Sequence, residues 1–477
     1  MTVRLHNTLT KQTGEFESQE SGKVKLYTCG PTVYNYLTVG NWVAYIAWDT
    51  LVRVLQADGY AVERVMNITD VGHLVSDADD GEDKLEKGAK REGKTAWEVA
   101  EFYGSDFLQG MQRLNLLMPE HITKATEYIP QQLELVRTLK GKGFTYQIDD
   151  GIYFDTSKFP TYADFAGLDL DAQRAGARVA FNDEKRSPSD FALWKFTPAG
   201  EKRDMEWPTP ADLTDDGMER PGFPGWHLEC SAMAMDILGS TLDIHTGGID
   251  HIPVHHTNEI AQSEAATGKT FSKYWLHNNH LKVDGTKISK SLGNGYTLDD
   301  LKERGFSPLD YRMFVLQSHY RSEGNFTFEN LDAAKNRLRG LQAAADLKWQ
   351  PVENGSGIAV ASLDGHKEAI SKALNDDLNT PQALTHVSSL EATLQASGIE
   401  QASVPAFQEL LDWLDTVLGL ALANRPDITD EQKALMRDRT AARDAKDWAT
   451  SDTLRDALAG QGIVLRDGPN GTVWERA

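Results

Sequence analysis

The chain carries only two thiols, Cys29 and Cys230, and both stand at places of interest. Cys29 follows a short β-prone run, Lys23 to Tyr27, and Cys230 lies in WHLECSAM, shortly before the strand-like DIHTGGID. His255 and Glu259 are four apart in VHHTNEIAQSEAATG, a stretch of helical character, so both side chains leave one helix face and can grip one ion. Two thiolates, an imidazole and a carboxylate form a donor set for Zn²⁺, which takes soft and borderline ligands at about 2.0–2.3 Å. Spacing alone leaves two inert core cysteines as an equal reading, while a disulfide fits a reducing compartment poorly. His256 competes for the imidazole role, but its i+3 partner Glu259 gives poorer register; His251 and His245 form no set of their own and are read as structural or ligand-adjacent. The second constellation is Lys287, Ile288, Ser289, Lys290 and Ser291 in DGTKISKSLGN. Two ammonium groups on a glycine-flanked loop can follow a triphosphate as it expels pyrophosphate, although a lysine pair in a loop is ordinarily solvated surface.

These residues need a scaffold, and the pattern around them supplies one. Lys23 to Tyr27 stops at Cys29, Gly30 and Pro31; after a loop, Val43, Ala47, Leu51, Val54 and Leu55 recur at helical spacing within Trp42 to Asp58, and Gly59 ends the helix. Ala61 to Met66 reads as a second strand ending at Asn67, Ile68, Thr69 and Asp70. Strand, turn, helix and strand make a βαβ unit, so the expected fold is α/β: a Rossmann-type parallel sheet with ligands at the carboxyl ends of its strands. Residues 116–223 read as an insertion in that sheet domain, which resumes at Leu242 to Ile244 followed by Gly247 and Gly248. The charged run from Ser76 to Lys94 suits a solvated helix or lid better than a calcium loop. From Pro308 to about Ala423 the periodicity is helical, broken by the linker Asn354 to Gly357. A small terminal unit follows, with helices around Lys433 to Trp448 and Ser451 to Leu458 and a hairpin signal at Pro469, Asn470 and Gly471.

With 477 residues, 40% hydrophobic and 25% charged, the composition is that of a multidomain globular protein and excludes disordered, collagenous and rod-like classes. Forty-nine basic against 71 acidic residues give a net charge of -22, so any polyanion would have to meet local basic patches. No stretch approaches the roughly 20 apolar residues of a membrane span, and the start MTVRLHNTLTKQTGEF is polar, so no membrane partner and a cytoplasmic location are expected.

Taken in order, YTCGPTVYNY, NITDV, GARV followed by DFALWK, GWHLECSAM, DIHTGGID, HHTNEIAQS, KISKSLGN, SHYRS, ARDAKDW and GIVLRDGPNGT resemble the cysteinyl-tRNA synthetases, a family of class I aminoacyl-tRNA synthetases. The resemblance spans nearly the whole chain. It implies a Rossmann catalytic domain over 1–307 with a connective insertion around 116–223 and a stem-contacting region near 290–320, a helical tRNA-binding bundle over 308–423, and an anticodon-binding α+β domain over 424–477. By the same resemblance one Zn²⁺ falls on Cys29, Cys230, His255 and Glu259 and takes the substrate's sulfur as an added ligand. Gly30, Thr69 and Trp226 fall in the cysteine pocket; Gly40, Gly248, Asp250 and Lys290 fall on ATP; Lys287, Lys290, Thr38 and Asn41 carry the catalytic charge stabilisation. The implied partners are L-cysteine, ATP with Mg²⁺ and tRNA(Cys), and the implied state is a monomer.

The sequence departs from the family at one signature. Where the family has His-Ile-Gly-His, this chain reads Thr38, Val39, Gly40 and Asn41, and Val43 replaces the following basic residue. Backbone amides at Gly40 can still attract phosphate, but the first histidine's donor is gone. Thr257 replaces a usual glutamate in HHTNE without touching the proposed ligands. Two other readings share much of this pattern: a ligase joining cysteine to an amino sugar in thiol-cofactor synthesis, which lacks an anticodon-reading terminus, and a non-catalytic tRNA- or cysteine-binding paralogue. Arg437, Arg439, Arg443 and Lys446 near the tail argue against the first, although a solvated face balanced by Asp438, Asp444 and Asp447 is their plainer explanation. Retention of the ligand set and both loop lysines argues against the second.

Overall fold

The computed structural model describes residues 2–72, 83–169, 182–289, 292–352, 357–468 and 471–477. Lys290, the GARV segment, Pro469, Asn470 and most of the Asn354 to Gly357 linker lie outside the described residues. Two compact units are present, one over 2–301 with 320–325, the other over 302–319 with 326–477.

The first unit is built on a five-stranded parallel sheet in the spatial order Ser272–Asn278, Leu242–Gly248, Lys23–Thr28, Ala61–Ile68, His121–Lys124. The chain adds strands to one side of Lys23–Thr28 and then crosses to the other. The sheet therefore reverses direction of growth between Lys23–Thr28 and Leu242–Gly248, the point where open α/β sheets bind ligands. Buried Val24, Leu26, Val65, Met66, Leu242 and Ile244 explain the β-branched and leucine-rich strand sequences, since a parallel sheet covered on both faces needs apolar residues on both. The Ala61 strand runs two residues past Met66 because Asn67 and Ile68 still pair with Thr123 and Lys124. β-propensity alone stops short there, as asparagine is a poor strand former.

The crossover helix Val39–Ala57 begins three residues earlier than periodicity indicates. Thr38 caps it reciprocally with Asn41: the Thr38 backbone N–H and hydroxyl both donate to Asn41 Oδ1 at 2.9 Å. At the far end Gly59 takes φ +94°, which a side chain would resist.

Between the third and fourth parallel strands a separate antiparallel sheet is inserted, in the order Thr145–Ile148, Gly151–Phe154, Phe191–Phe196, Arg220–Pro224, Trp207–Thr209. Its core of Ile152, Phe154, Phe191, Leu193 and Trp194 packs with Val136, Leu139, Leu228, Ala232 and Ala261 from three helices. Two of those helices, Trp226–Leu238 and Thr257–Thr267, also carry residues of the candidate site.

The second unit is helical over Pro308–Leu316, Phe328–Asp346, Val360–Leu374, Thr380–Ser397 and Val404–Leu418, and continues into the helices Asp430–Asp444 and Trp448–Gly460 and the hairpin Ile463–Gly468 with Gly471–Arg476. Buried Asp346 binds the tail to the bundle: its carboxylate accepts from Arg425 at 2.9 and 2.8 Å and from Arg476 at 2.7 Å. The parallel sheet, the helical bundle and the small terminal α+β unit together give the α/β architecture expected from the sequence. No described helix is long and apolar enough to cross a membrane.

Candidate metal and substrate site

Four segments distant in sequence meet at the sheet's point of reversal. Cys29 leaves the carboxyl end of Lys23–Thr28 with its N–H donating to Thr246 O across the sheet at 3.2 Å. Cys230 lies on the second turn of Trp226–Leu238. His255 lies in a π-helical turn, Ile252–His256, which runs into the helix Thr257–Thr267 that carries Glu259. The ligand atoms of Cys29, Cys230, His255 and Glu259 all lie within 4.8 Å of one another, and all four residues are buried. The His255 and Glu259 side chains do share one face, with Nε2 3.0 Å from Oε1, but across a π turn rather than along a regular helix.

The donor set fits a soft cation. Glu259 Oε1 is buried without a hydrogen-bond partner among the described residues, although His255 Nε2 is 3.0 Å away, so the two atoms converge on a point more than they bond each other. Burial opposes charge on Glu259, yet the neighbouring His245 and His255 outweigh it and hold the carboxyl down at about 2. His255 is desolvated but lifted to about 10 by the Glu259 charge and by Cys230. The Cys230 thiol is pulled down to about 6, first by the hydrogen bond from Cys29 and against its burial, while burial pushes Cys29 up. One thiolate and one carboxylate are thus stabilised in a dry site.

A ring of histidines surrounds this cluster, and residue spacing pointed to only part of it. His245 Nε2 lies 3.0 Å from Glu259 Oε2, so His245 adjoins the candidate cluster. His256 stands closer than its register suggests, with Nε2 3.5 Å from Cys29 Sγ, and Cys29, His245, His256 and Glu259 form an overlapping set within 4.8 Å. Its Nδ1 pairs with His277 Nε2 at 2.7 Å, and His277 Nδ1 with Thr8 Oγ1 at 2.7 Å. Burial and neighbouring imidazoles keep His256 and His277 neutral. His255 Nδ1 meets His227 Nδ1 at 2.9 Å, and the Trp226 ring stacks on the His255 ring at 4.4 Å between centroids. A sequence signal existed for some of these: Trp226, Glu229 and Cys230 are spaced three and four apart, and so share a helix face.

The other residues expected to contact substrate or ATP lie on the same strands and turns. Gly30 follows Cys29, and a Cβ there would lie 1.5 Å from Asn67 O, so only glycine fits. Thr69 is 2% exposed, with its hydroxyl between Asn67 Nδ2 at 3.0 Å and Glu229 Oε2 at 3.2 Å. Gly248 ends its strand, and Asp250 follows it on the exposed side of a 3₁₀ turn.

The two phosphate-type segments also meet. Val39 N donates to Tyr296 O at 2.7 Å and Thr38 bridges to Thr297, which lays the segment after the lysine loop along the start of the Val39–Ala57 helix. A Cβ on Gly40 would lie 2.6 Å from Ile288 Cδ1. Lys287, at the end of the short strand Thr286–Lys287, is exposed, as is Asn41.

Comparison with known proteins agrees with this architecture. The family described as "tRNA synthetases class I (C) catalytic domain" matches residues 15–336, the "DALR domain" matches 369–423, and the "Cysteinyl-tRNA ligase anticodon binding domain" matches 425–474. The chain is 43% identical over 479 residues to cysteine–tRNA ligase 1 of Burkholderia lata, covering 99% of this chain and 96% of that protein. It is 39% identical over 506 residues to the cysteine–tRNA ligase of Treponema denticola, with both chains fully covered. Among solved structures, methionyl-tRNA synthetase of Mycobacterium tuberculosis with methionyl-adenylate superposes with a TM-score of 0.59 at 15% identity, over 83% of this chain and 92% of that one, a likeness of fold. With a catalytic domain matched over most of its length and relatives near 40% identity from end to end, the chain belongs to the cysteine–tRNA ligase family of class I aminoacyl-tRNA synthetases.

Proposed function

We propose that the protein activates L-cysteine with Mg-ATP to cysteinyl-adenylate and transfers the cysteinyl group to tRNA(Cys), acting as a cytoplasmic monomer. The observation that carries the reading is the convergence of Cys29, Cys230, His255 and Glu259 at the sheet's reversal point in a chain of this family. We assign these four as ligands of one Zn²⁺, with His245 and His256 behind them: the set with two thiolates suits a soft ion better than the set with one. When bound, the ion supplies a soft Lewis acid that favours a substrate thiolate over serine's hydroxyl, a distinction that apolar contacts would make by only about 1–3 kcal/mol.

The chain's own groups do the rest. His245 orients Glu259, and the stacked Trp226 ring holds the His255 plane. Gly30, Thr69 and Trp226 are assigned to the substrate's pocket. Adenylate formation is attack of the substrate carboxylate on the α-phosphate with loss of pyrophosphate, so it needs positioning and charge stabilisation but no protein nucleophile. Gly40, Asn41, Gly248 and Asp250 are assigned to ATP, Thr38 to orienting Asn41, and Lys287 with Lys290 to the departing phosphates. The terminal match at 425–474 favours tRNA charging over amino-sugar ligation.

Cysteine-dependent exchange of labelled pyrophosphate into ATP, followed by charging of tRNA(Cys) transcript, tests the proposal. Both reactions are expected, with one zinc per chain by elemental analysis. Exchange without charging would point to the amino-sugar ligase, and absence of exchange to a binding paralogue.

A further inference from the structure

Asn67, Thr69 and Glu229 form a chain of hydrogen bonds whose direction is fixed from one end. The backbone N–H of Gly30 can only donate, and it donates to Asn67 Oδ1 at 2.7 Å. That settles the amide orientation, so Asn67 Nδ2 is the donor facing Thr69 Oγ1 at 3.0 Å. Having accepted there, the Thr69 hydroxyl sends its proton to Glu229 Oε2 at 3.2 Å. The three side chains are 1%, 2% and 0% exposed, so water does not scramble the order. A hydroxyl has one proton and two lone pairs. With the proton on the Glu229 side and one lone pair taken by Asn67, Thr69 retains a single acceptor site and no donor.

The position matters as much as the polarity. Gly30 and Glu229 are the sequence neighbours of Cys29 and Cys230, two of the four assigned ligands. An amino acid held by its sulfur at that cluster carries its ammonium three bonds away, among the groups that flank the ligands. We infer that Glu229 and Asn67 are positioning residues that lock the Thr69 hydroxyl as an acceptor for the substrate's ammonium group. The inference rests on the cysteine reading above. It makes the pocket selective for a charged amine: a ligand offering an acceptor at that point finds no proton to take.

Calorimetric titration of zinc-loaded full-length protein with L-cysteine and with 3-mercaptopropionate, the same thiol acid without its amine, tests this. Thr69→Val is expected to weaken cysteine roughly ten- to a hundredfold, the range for a hydrogen bond to a charged group, and to leave 3-mercaptopropionate within about twofold. Thr69→Ser should restore cysteine binding. Glu229→Gln should weaken cysteine similarly, because its amide can donate to Thr69 Oγ1 and turn the hydroxyl proton outward. The Thr69→Val, Glu229→Gln pair should then be no worse than Thr69→Val alone. Equal weakening of both ligands, no weakening by Thr69→Val, or additive losses in the double variant would overturn the relay while leaving the cysteine reading intact. Wild-type protein that binds neither thiol would overturn both.

Discussion

Replacing Asn41 with aspartate separates two jobs that the structure assigns to one side chain. Asn41 Oδ1 accepts both the backbone N–H and the hydroxyl of Thr38 at 2.9 Å, which leaves Nδ2 facing away from the cap at the exposed start of the Val39–Ala57 helix. Thr38 thereby uses its only hydroxyl proton on Asn41, so the side-chain donor this segment offers a phosphate, beside the backbone amide of Gly40, is the Asn41 amide. In the Asn41→Asp variant the carboxylate would keep the capping acceptor and suit the positive end of the helix, so stability should hold or rise by about 0.3–1 kcal/mol. Its second oxygen would replace the donor by a negative charge beside the triphosphate. Loss of one positioned donor costs about 10²–10³ in rate, near 2.7–4 kcal/mol of transition-state stabilisation, and the added repulsion can only enlarge that. Asn41→Ala should lose a comparable rate and also about 0.5–2 kcal/mol of stability, because the Thr38 N–H loses its partner. Thr38→Val keeps one of the two orienting bonds and should fall only about tenfold, the equivalent of one hydrogen bond near 1.4 kcal/mol. Single-turnover adenylate formation, run beside thermal unfolding, reads both quantities. A rate within threefold of wild type for Asn41→Asp would refute the assignment of the amide as a phosphate donor.

Other expectations are independent of that segment. Cys230→Ala should strip the metal and abolish cysteine-dependent pyrophosphate exchange while ATP binding, followed by equilibrium dialysis, stays within about twofold; loss of both together would assign the ion to folding instead. His245→Ala, which leaves Glu259 Oε2 without its 3.0 Å partner, should lower zinc affinity by about 10- to 100-fold in a chelator competition. In the tail, hydrogen bonds from Arg439 and Thr472, with help from Arg443, hold the Asp467 carboxyl well below the usual carboxylate range against slight burial. A depressed folded value stabilises the protein at pH above the unfolded carboxyl's value near 3.9 and fades as pH falls toward the folded one. Asp467→Asn should therefore lower stability at pH 7 by about 1 kcal/mol, after screening of a side chain 41% exposed, and by progressively less below pH 4. A constant difference across that range in denaturant melts would contradict this assignment.

Much of the site was legible because its chemistry is written in rare residue types. Two cysteines in 477 residues, one just past a strand end and one in WHLECSAM shortly before a strand, and one His/Glu pair at helical spacing left few other partners for a soft ion. The histidines behind them were less visible, since one imidazole on a strand looks the same whether it fills a core or supports a ligand. What distinguishes His245 is Glu259, fourteen residues on and in another element, and no local pattern encodes that distance. Asn67 and Thr69 sit two apart at the end of a strand and so share a face, but their meaning comes from Gly30 and Glu229, which approach from other elements.

The terminal arginines show the same limit from the opposite side. On the helix Asp430–Asp444, charge counting offers two readings of Arg439 and Arg443: a surface for RNA or a solvated face balanced by nearby aspartates. Neither describes Arg439, which is 4% exposed and grips Asp467 through both nitrogens at 3.1 and 2.9 Å, while Arg443 binds the same carboxylate. Asp467 belongs to the strand Ile463–Gly468, so these charges fasten the hairpin to the helix. Because Arg439 is the buried partner, reversing its charge would bury a carboxylate beside Asp467, a far larger cost than the loss of one half-exposed ion pair. RNA contact by the tail must then fall to residues that the clamp leaves exposed, among them Trp448 at 60% exposure. Charge reversal at Arg439 should unfold the hairpin and lose tRNA charging while leaving cysteine activation unchanged, whereas Trp448→Ala should weaken charging with the hairpin intact by proton NMR; equal effects of both substitutions on folding would remove the distinction between clamp and contact.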